Sequence, residues 1–269
     1  MPDTIKLNYD YEFDPAGDHA GAQVLRLVEK ESKVLEIGAG PGSITRPLKE
    51  INDCNIVALE VNSAFVDRLL TFCERVVPAD LNDHTWADAL FPTERFDAVV
   101  IADVLEHLLE PQETLKQVVK LLNPEGAVVV SLPHVGHNVI LACLMTHDFE
   151  YREWGLLDKT HLRFFAIKNI KRLVDEAGLK IVDVRFVIRR PDQTEFNARW
   201  TALSKLTREA LSQNKYGLIY QVVFKAVRKE AQGAAVDLET IDIPRPFVKP
   251  KLFGSKRLGK LAQSVGLRA

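Results

Sequence analysis

In the stretch KVLEIGAGPGSIT, Lys33 to Thr45, glycines at positions 38, 40 and 42 follow a short apolar run. Glycine puts no side chain between the backbone and whatever lies above it, so a ligand in close contact with the main chain is expected at this turn. Glu36, inside the leading run, would attract an ammonium group bound over the turn. Glu60 closes the next apolar run, NIVALE, about 20 residues beyond the glycines, where a carboxylate accepts hydrogen bonds from both hydroxyls of a ribose. Asp80, in PADL, would receive an exocyclic adenine amine, and Asp103 closes the run FDAVVIAD. The glycine spacing argues against a dinucleotide. Such a turn requires G-x-G-x-x-G, and here the third glycine, Gly42, comes one residue early, with Ser43 in the expected place.

Placing these residues together requires a series of strands ending on one side. Between residues 21 and 183 apolar-periodic helical segments alternate with short β-branched runs, the pattern of a parallel sheet covered on both faces. Helices are expected over 21–30, 43–51, 63–73, 111–122 and 167–177, the last stopped by Gly178. Strands are expected at 33–38, 55–60, 75–80, 96–103 and 126–133, the fifth following the turn NPEG. KIVDVRFVI and GLIYQVVFKAV read as two more strands, joined through a helical insertion at 195–213. The stretch 134–165 is irregular and rich in histidine and aromatic residues.

The chain has 269 residues, enough for one sizeable core with accessory elements, and a formal net charge of −2, which argues against a dedicated nucleic-acid binder. Three cysteines, Cys54, Cys73 and Cys143, lie far apart without metal-ligand spacing. They fit a reducing compartment, hence a cytoplasmic location, and neither disulfides nor a metal site are expected. The N-terminus is polar and acidic, with no signal-peptide core, and no apolar run reaches the roughly 18 residues of a membrane span. From Pro244 onward there are seven Lys or Arg and no acidic residue. Residues 231–269 are accordingly expected to form a flexible basic tail, either solvated or making weak contact with an anionic membrane surface.

The series VLEIGAGPG, Glu60, PADL and FDAVVIADVLEHL resembles the class I S-adenosylmethionine-dependent methyltransferases, in order, over about residues 20–188. That resemblance implies S-adenosylmethionine as cofactor, with Glu36, Gly38, Gly40, Gly42, Glu60, Asp80, Leu81 and Asp103 around it. A pocket lined by carboxylates suits a ligand with a sulfonium, an ammonium and no phosphate. The later segment SLPHVGH…DFEYREWGLLDKTHLRFF and the N-terminal YDYEFDPAGDHAGAQVLRLV are similar to a subgroup met in bacterial glycan and sugar-metabolite pathways. This implies a sugar, glycan precursor or related small metabolite as acceptor, methylated on oxygen or nitrogen.

A hydroxyl acceptor profits from a general base held near the methyl. The candidates lie in the irregular stretch: His134, His137, His147, and the pair Asp158 and His161, which would face each other across one helical turn with Arg163 close by. His161, oriented by Asp158, is the favoured acceptor-side group and His134 the second; packing or capping accounts for either histidine as well. Glu106 and His107 would line the acceptor cleft or simply start a helix. Tyr9, Tyr11 and His19 would close over the cofactor or belong to a mobile N-terminus. Trp86 would pack near the adenine or in the core.

The expected fold is a doubly wound, mostly parallel sheet of seven strands, the last antiparallel by the family resemblance. One catalytic domain spans 1–230, with a small helical cap from insertions at about 134–165 and 190–215. Two other functions share the sheet. A nicotinamide-dependent oxidoreductase is opposed by the glycine spacing and Glu36. A regulatory module that binds S-adenosylmethionine without turnover is opposed by the histidines of 134–165.

Overall fold

Val34–Ile37 and Ala98–Ile101 are buried, which is why, apart from Glu36, they read as continuous apolar runs instead of alternating ones. They form the centre of a seven-stranded sheet in a computed structural model that describes residues 13–244. Tyr9, Tyr11 and the basic stretch after Pro244 lie outside the described residues.

The strands are β1 (Lys33–Ile37), β2 (Asn55–Leu59), β3 (Arg75–Val77), β4 (Phe96–Ala102), β5 (Leu122–Pro133), β6 (Leu179–Ile188) and β7 (Ile219–Arg228), in the order β3-β2-β1-β4-β5-β7-β6. The pairs from β3 through β5 are parallel, and β7 runs antiparallel between β5 and β6. After β1 the chain winds outward through β2 and β3, then returns to lay β4 on the other side of β1. That reversal opens a crevice beyond the carboxyl ends of β1 and β4, where ligands of such sheets bind. Gly38 and Asp103 stand at its two lips.

The helices are α1 (Ala20–Leu27), α2 (Thr45–Glu50), α3 (Val66–Leu69), α4 (Trp86–Leu90), α5 (Pro111–Lys120), α6 (Asn138–Met145), α7 (Ile167–Glu176), α8 (Asn197–Ala202) and α9 (Lys205–Leu211). Two apolar clusters cover the two faces of the sheet. A third, built from Val139, Ile140, Cys143, Leu156, Leu157 and Phe196, holds α6 and α8 together as a small helical cap.

Several expectations are corrected. The helix over 63–73 is a 3-10 turn at Ser63–Phe65 followed by the single turn of α3. Asn62 caps the start by accepting the Ala64 N–H at 3.0 Å, and Thr71 donates its hydroxyl back to the Arg68 carbonyl at 2.7 Å, favouring an early stop. The stretch before β4 carries α4, which the sequence pattern did not suggest. NPEG is a bulge inside β5, not a turn before it: Leu122 already pairs with Phe96, and pairing resumes at Ala127 opposite Ala98. Arg228 donates to the carbonyls of Val119, Leu122 and Asn123, satisfying the backbone of this irregular stretch. Residues 231–244 do not leave the fold. Leu238 is buried in the main cluster, the Val236 N–H donates to the Ile181 carbonyl at 2.8 Å, and Lys171 pairs with Asp237 at 3.2 Å.

Candidate active site

β1 delivers the glycine turn. Gly38 continues the sheet by donating its N–H to the Leu59 carbonyl at 2.8 Å, then bends at φ +70°. A Cβ there would come 2.5 Å from Val104 Cγ2, so this position is closed to side chains both by conformation and by space. Gly40 faces open space, with nothing within 4 Å of where its Cβ would stand. Gly42 packs toward Leu69 instead and lines none of the cavities described below.

Above the turn lies a cavity of about 310 Å³, lined by Glu36, Gly38, Gly40, Glu60 and Asp103 among others. A second, of about 460 Å³, shares Gly38, Glu60 and Val61 with it and continues to Asp80 and Leu81 beyond β3. Seven of the eight residues expected around a cofactor thus line one continuous cleft, Gly42 being the exception. Asn62 and Phe65 also line it; their signal in sequence was only their place just after Glu60.

The cleft is electrostatically unbalanced. Glu36 is 3% exposed and its Oε2 has no hydrogen-bond partner among the described residues. Burial pushes its carboxyl up to about 8, opposed by the Thr45 hydroxyl and reinforced by Glu60. Glu60 accepts the Gly40 N–H through Oε2 and the Asn62 N–H through Oε1, both at 2.7 Å. A carboxylate has about four acceptor positions, so lone pairs remain for hydroxyls of a ligand. Asp80 is exposed and closes a turn by accepting the Asn82 N–H through Oδ1 at 2.9 Å.

A smaller chamber of about 100 Å³, lined by Glu106, Asp158, His161 and Gln221 among others, shares two lining residues with this cleft, His107 and Asp103. The Asp103 backbone sits at φ +54°, a left-handed conformation that aspartate tolerates better than most residues. Oδ1 accepts from Ser131 Oγ and Gln221 Nε2, each at 2.8 Å, while burial pushes the carboxyl up.

His161 lies in the chamber, but not as Asp158's helical partner. Residues 158–163 form no helix, and Asp158 instead accepts the Thr160 N–H and hydroxyl through Oδ1 at 2.8 and 2.6 Å. His161 Nε2 faces Glu106, 3.9 Å from Oε1, and its ring stands edge-on to His107 with centroids 4.8 Å apart. Burial, then the neighbouring His107, lowers His161 to about 4, so the ring is neutral near pH 7. Glu106 is 1% exposed, both its carboxylate oxygens lack partners, and burial with Asp103 and Asp158 nearby raises it well above the usual range. Arg163 turns away to the Leu109 carbonyl.

The other histidines line none of these three cavities. His134 is 1% exposed, lines none of these three cavities, and meets the Ile219 carbonyl through Nδ1 at 3.3 Å; burial lowers it to about 4. It is tied to β7, not presented to an acceptor. His137 caps α6 by accepting the Val139 N–H at 3.1 Å, and His19 caps α1 through the Ala22 N–H at 3.2 Å. His147 ends α6 at φ +56° and lines none of the three cavities. Trp86 packs edge-on against Phe91 in the core. Tyr220 and Gln221 line the chamber from β7, more than a hundred residues from Asp103, with no local sequence signal.

The sequence matches a methyltransferase-domain family over residues 16–184, well over half of the chain. It is 24% identical over 182 residues to a ubiquinone biosynthesis O-methyltransferase of Methylobacterium sp. strain 4-46, covering 63% of this chain and 66% of that one. Similarity to the O-methyltransferase cnsE of Penicillium expansum is 23% over 154 residues, covering 56% of this chain and 53% of that one. The chain therefore spans between about half and two thirds of these relatives' lengths. In fold it is similar to a Burkholderia thailandensis 1,6-didemethyltoxoflavin-N1-methyltransferase solved with S-adenosylhomocysteine and 1,6-didemethyltoxoflavin. That likeness has a TM-score of 0.51 at 17% identity and covers 81% of this chain and 80% of that one. The chain belongs to the class I S-adenosylmethionine-dependent methyltransferases, the family whose cofactor is S-adenosylmethionine.

Proposed function

We propose that this protein methylates a hydroxyl oxygen of a small-molecule acceptor, holding S-adenosylmethionine in the glycine-turn cleft and the acceptor in the chamber beside it. The observation that carries this reading is the buried Glu36 carboxylate, whose Oε2 has no hydrogen-bond partner among the described residues, under a turn cleared of side chains. A cationic ligand would supply what Glu36 lacks and hold it ionised, whereas a pyrophosphate would be repelled. In this reading Glu60 takes the ribose hydroxyls on its remaining lone pairs, Asp80 and Leu81 border the adenine, and Asp103 stands between cofactor and acceptor. S-adenosylmethionine, when bound, supplies a methyl group on a cationic sulfur, which leaves as the neutral thioether of S-adenosylhomocysteine.

On the acceptor side Asp103 stands at the chamber's boundary, and the neutral His161, faced by Glu106, is placed to take up or hold the hydroxyl proton. Asp158 acts through Thr160. The relatives' names, two O-methyltransferases, favour oxygen over nitrogen. The sugar or glycan acceptor is supported only by the likeness of the N-terminal YDYEFDPAGDHAGAQVLRLV and of SLPHVGH…DFEYREWGLLDKTHLRFF, the segment that supplies Asp158 and His161. The three free, buried cysteines favour a reducing compartment such as the cytoplasm. Among the described residues no helix is long and apolar enough to cross a membrane.

The test is release of S-adenosylhomocysteine across a panel of hydroxylated sugars, nucleotide sugars and hydroxylated aromatic compounds, with matched amines. Turnover confined to hydroxylated members is expected. Turnover on amines alone overturns the O-methyl reading, and tight cofactor binding with no turnover on any member favours a regulatory module.

A further inference from the structure

Glu106 and His107 come from the 3-10 turn that follows Asp103, and His161 from a loop more than fifty residues on. Their ligand-capable atoms, one carboxylate oxygen and one ring nitrogen from each histidine, all lie within 4.8 Å of one another. We propose that these three residues bind a divalent cation of the borderline class, such as Zn²⁺, Mn²⁺ or Co²⁺, that holds the acceptor oxygen. This rests on the O-methyl-transfer reading and gives the acceptor-side cluster its chemistry.

Three observations converge. First, the Glu106 carboxylate is 1% exposed, faces the chamber and has no hydrogen-bond partner on either oxygen among the described residues. Buried charges are retained in proteins when paired or bound to metals, and among the described residues no Lys or Arg lines this chamber. Second, the donor set is two imidazoles and a carboxylate, which suits first-row divalent metals better than Mg²⁺ or Ca²⁺. Ligand bonds of about 2.0–2.2 Å would draw the three atoms to roughly 3–4 Å apart, a side-chain adjustment from the observed spacing. Third, the outer contacts of His107 are those of a metal-binding histidine. His107 Nδ1 lies 3.3 Å from the Thr160 carbonyl and 3.0 Å from its hydroxyl, and that hydroxyl donates to Asp158 Oδ1 at 2.6 Å. With Nδ1 so engaged, Nε2 offers its lone pair. The Leu162 and Arg163 N–H groups both donate to the Glu106 carbonyl, at 2.8 and 3.0 Å, which fixes the His161 loop against the Glu106 turn.

Three protein ligands leave positions open for the acceptor. A hydroxyl bound there sheds its proton to water as the cation lowers its pKa, and keeps the electron pair on oxygen. The new O–C bond then forms with that pair as the C–S bond breaks, its electrons going to sulfur. His161 in this arrangement is a ligand and leaves the proton to solvent.

The experiment is titration of the chelator-dialysed full chain with Co²⁺, followed by calorimetry and visible absorption, with S-adenosylhomocysteine binding measured on the same samples. One equivalent of Co²⁺ with a ligand-field spectrum is expected for the wild type. Glu106→Gln and His161→Asn should each weaken it by about 100-fold or more, and Asp158→Asn, an outer partner, by about 10–100-fold. The double variant His84→Asn, His147→Asn should bind as wild type does. Retained S-adenosylhomocysteine affinity shows that each variant is folded. Absence of Co²⁺ binding, or equal binding by the wild type, Glu106→Gln and His161→Asn, overturns the proposal while leaving the cofactor reading intact. Co²⁺ binding without any response to S-adenosylhomocysteine supports the cation site and overturns the cofactor reading instead.

Discussion

The cofactor cleft and the acceptor chamber meet at Asp103 and His107 yet are assembled differently. The cleft is made from the ends of β1, β2, β3 and β4, so Glu36, Glu60, Asp80 and Asp103 sit within or just after an apolar run. The chamber collects Glu106, Asp158, His161 and Gln221 from a turn, a loop and the antiparallel β7. Parallel strands placed side by side fix the cleft whatever the loops do, whereas the chamber depends on the packing of the cap. A scaffold of this kind keeps cofactor binding constant and leaves the acceptor free to vary with the loops.

If the two regions are separable, mutations should act on one and spare the other. The largest effect is expected from His161→Ala, which should slow turnover about 100-fold or more while S-adenosylhomocysteine affinity stays near wild type. Steady-state kinetics beside calorimetry decides it. A parallel loss of cofactor affinity would mean that the two regions are coupled through Asp103.

Next comes Glu60→Ala on the other side. It removes charged acceptors for the Gly40 and Asn62 N–H groups, besides those offered to a ribose, and should weaken cofactor binding by about 1.5–3 kcal/mol. Unchanged affinity would remove Glu60 from the ribose site.

The smallest effect concerns pH. Burial raises Glu36 from 4.5 to about 8, so the folded apo protein retains a proton there that the unfolded chain releases. The corresponding stability is fully present below 4.5 and is lost as pH rises toward 8. The melting temperature of the apo protein should therefore carry a downward slope over this window that flattens in Glu36→Gln and in the presence of S-adenosylhomocysteine. Parallel curves for wild type and variant would assign the slope to other groups.

The same contrast explains what could be read from the sequence. Strand ends in a doubly wound sheet are legible because the apolar run, the glycines and the closing carboxylate are neighbours in the chain, and the cleft follows almost residue by residue. Gly42 is the exception. Its place in the glycine series suggested a ligand, but the turn rotates it onto Leu69. In the chamber His161 could be named by residue type, but its partner could not. Periodicity suggested Asp158 one helical turn away, and the chain there follows Thr160 in an irregular loop. Gln221 and Tyr220 arrive by strand pairing more than a hundred residues distant, which no local pattern encodes. His134 misled for a related reason: it stands just after a strand end, as a catalytic group would, but the adjoining antiparallel strand encloses it. Residues 231–244 are another case. They precede a run without acidic residues, and only the packing of Leu238 shows that they belong to the fold.

The central claim is that the glycine turn, Glu36 and Glu60 form a site for a cationic nucleoside and not for a dinucleotide. Calorimetric titration of the purified protein with S-adenosylmethionine and S-adenosylhomocysteine, with NAD as control, tests it most directly. Micromolar binding of the first two, weakened in Glu60→Ala, is expected, with no heat from NAD. Binding of NAD, or silence from all three ligands, would contradict it.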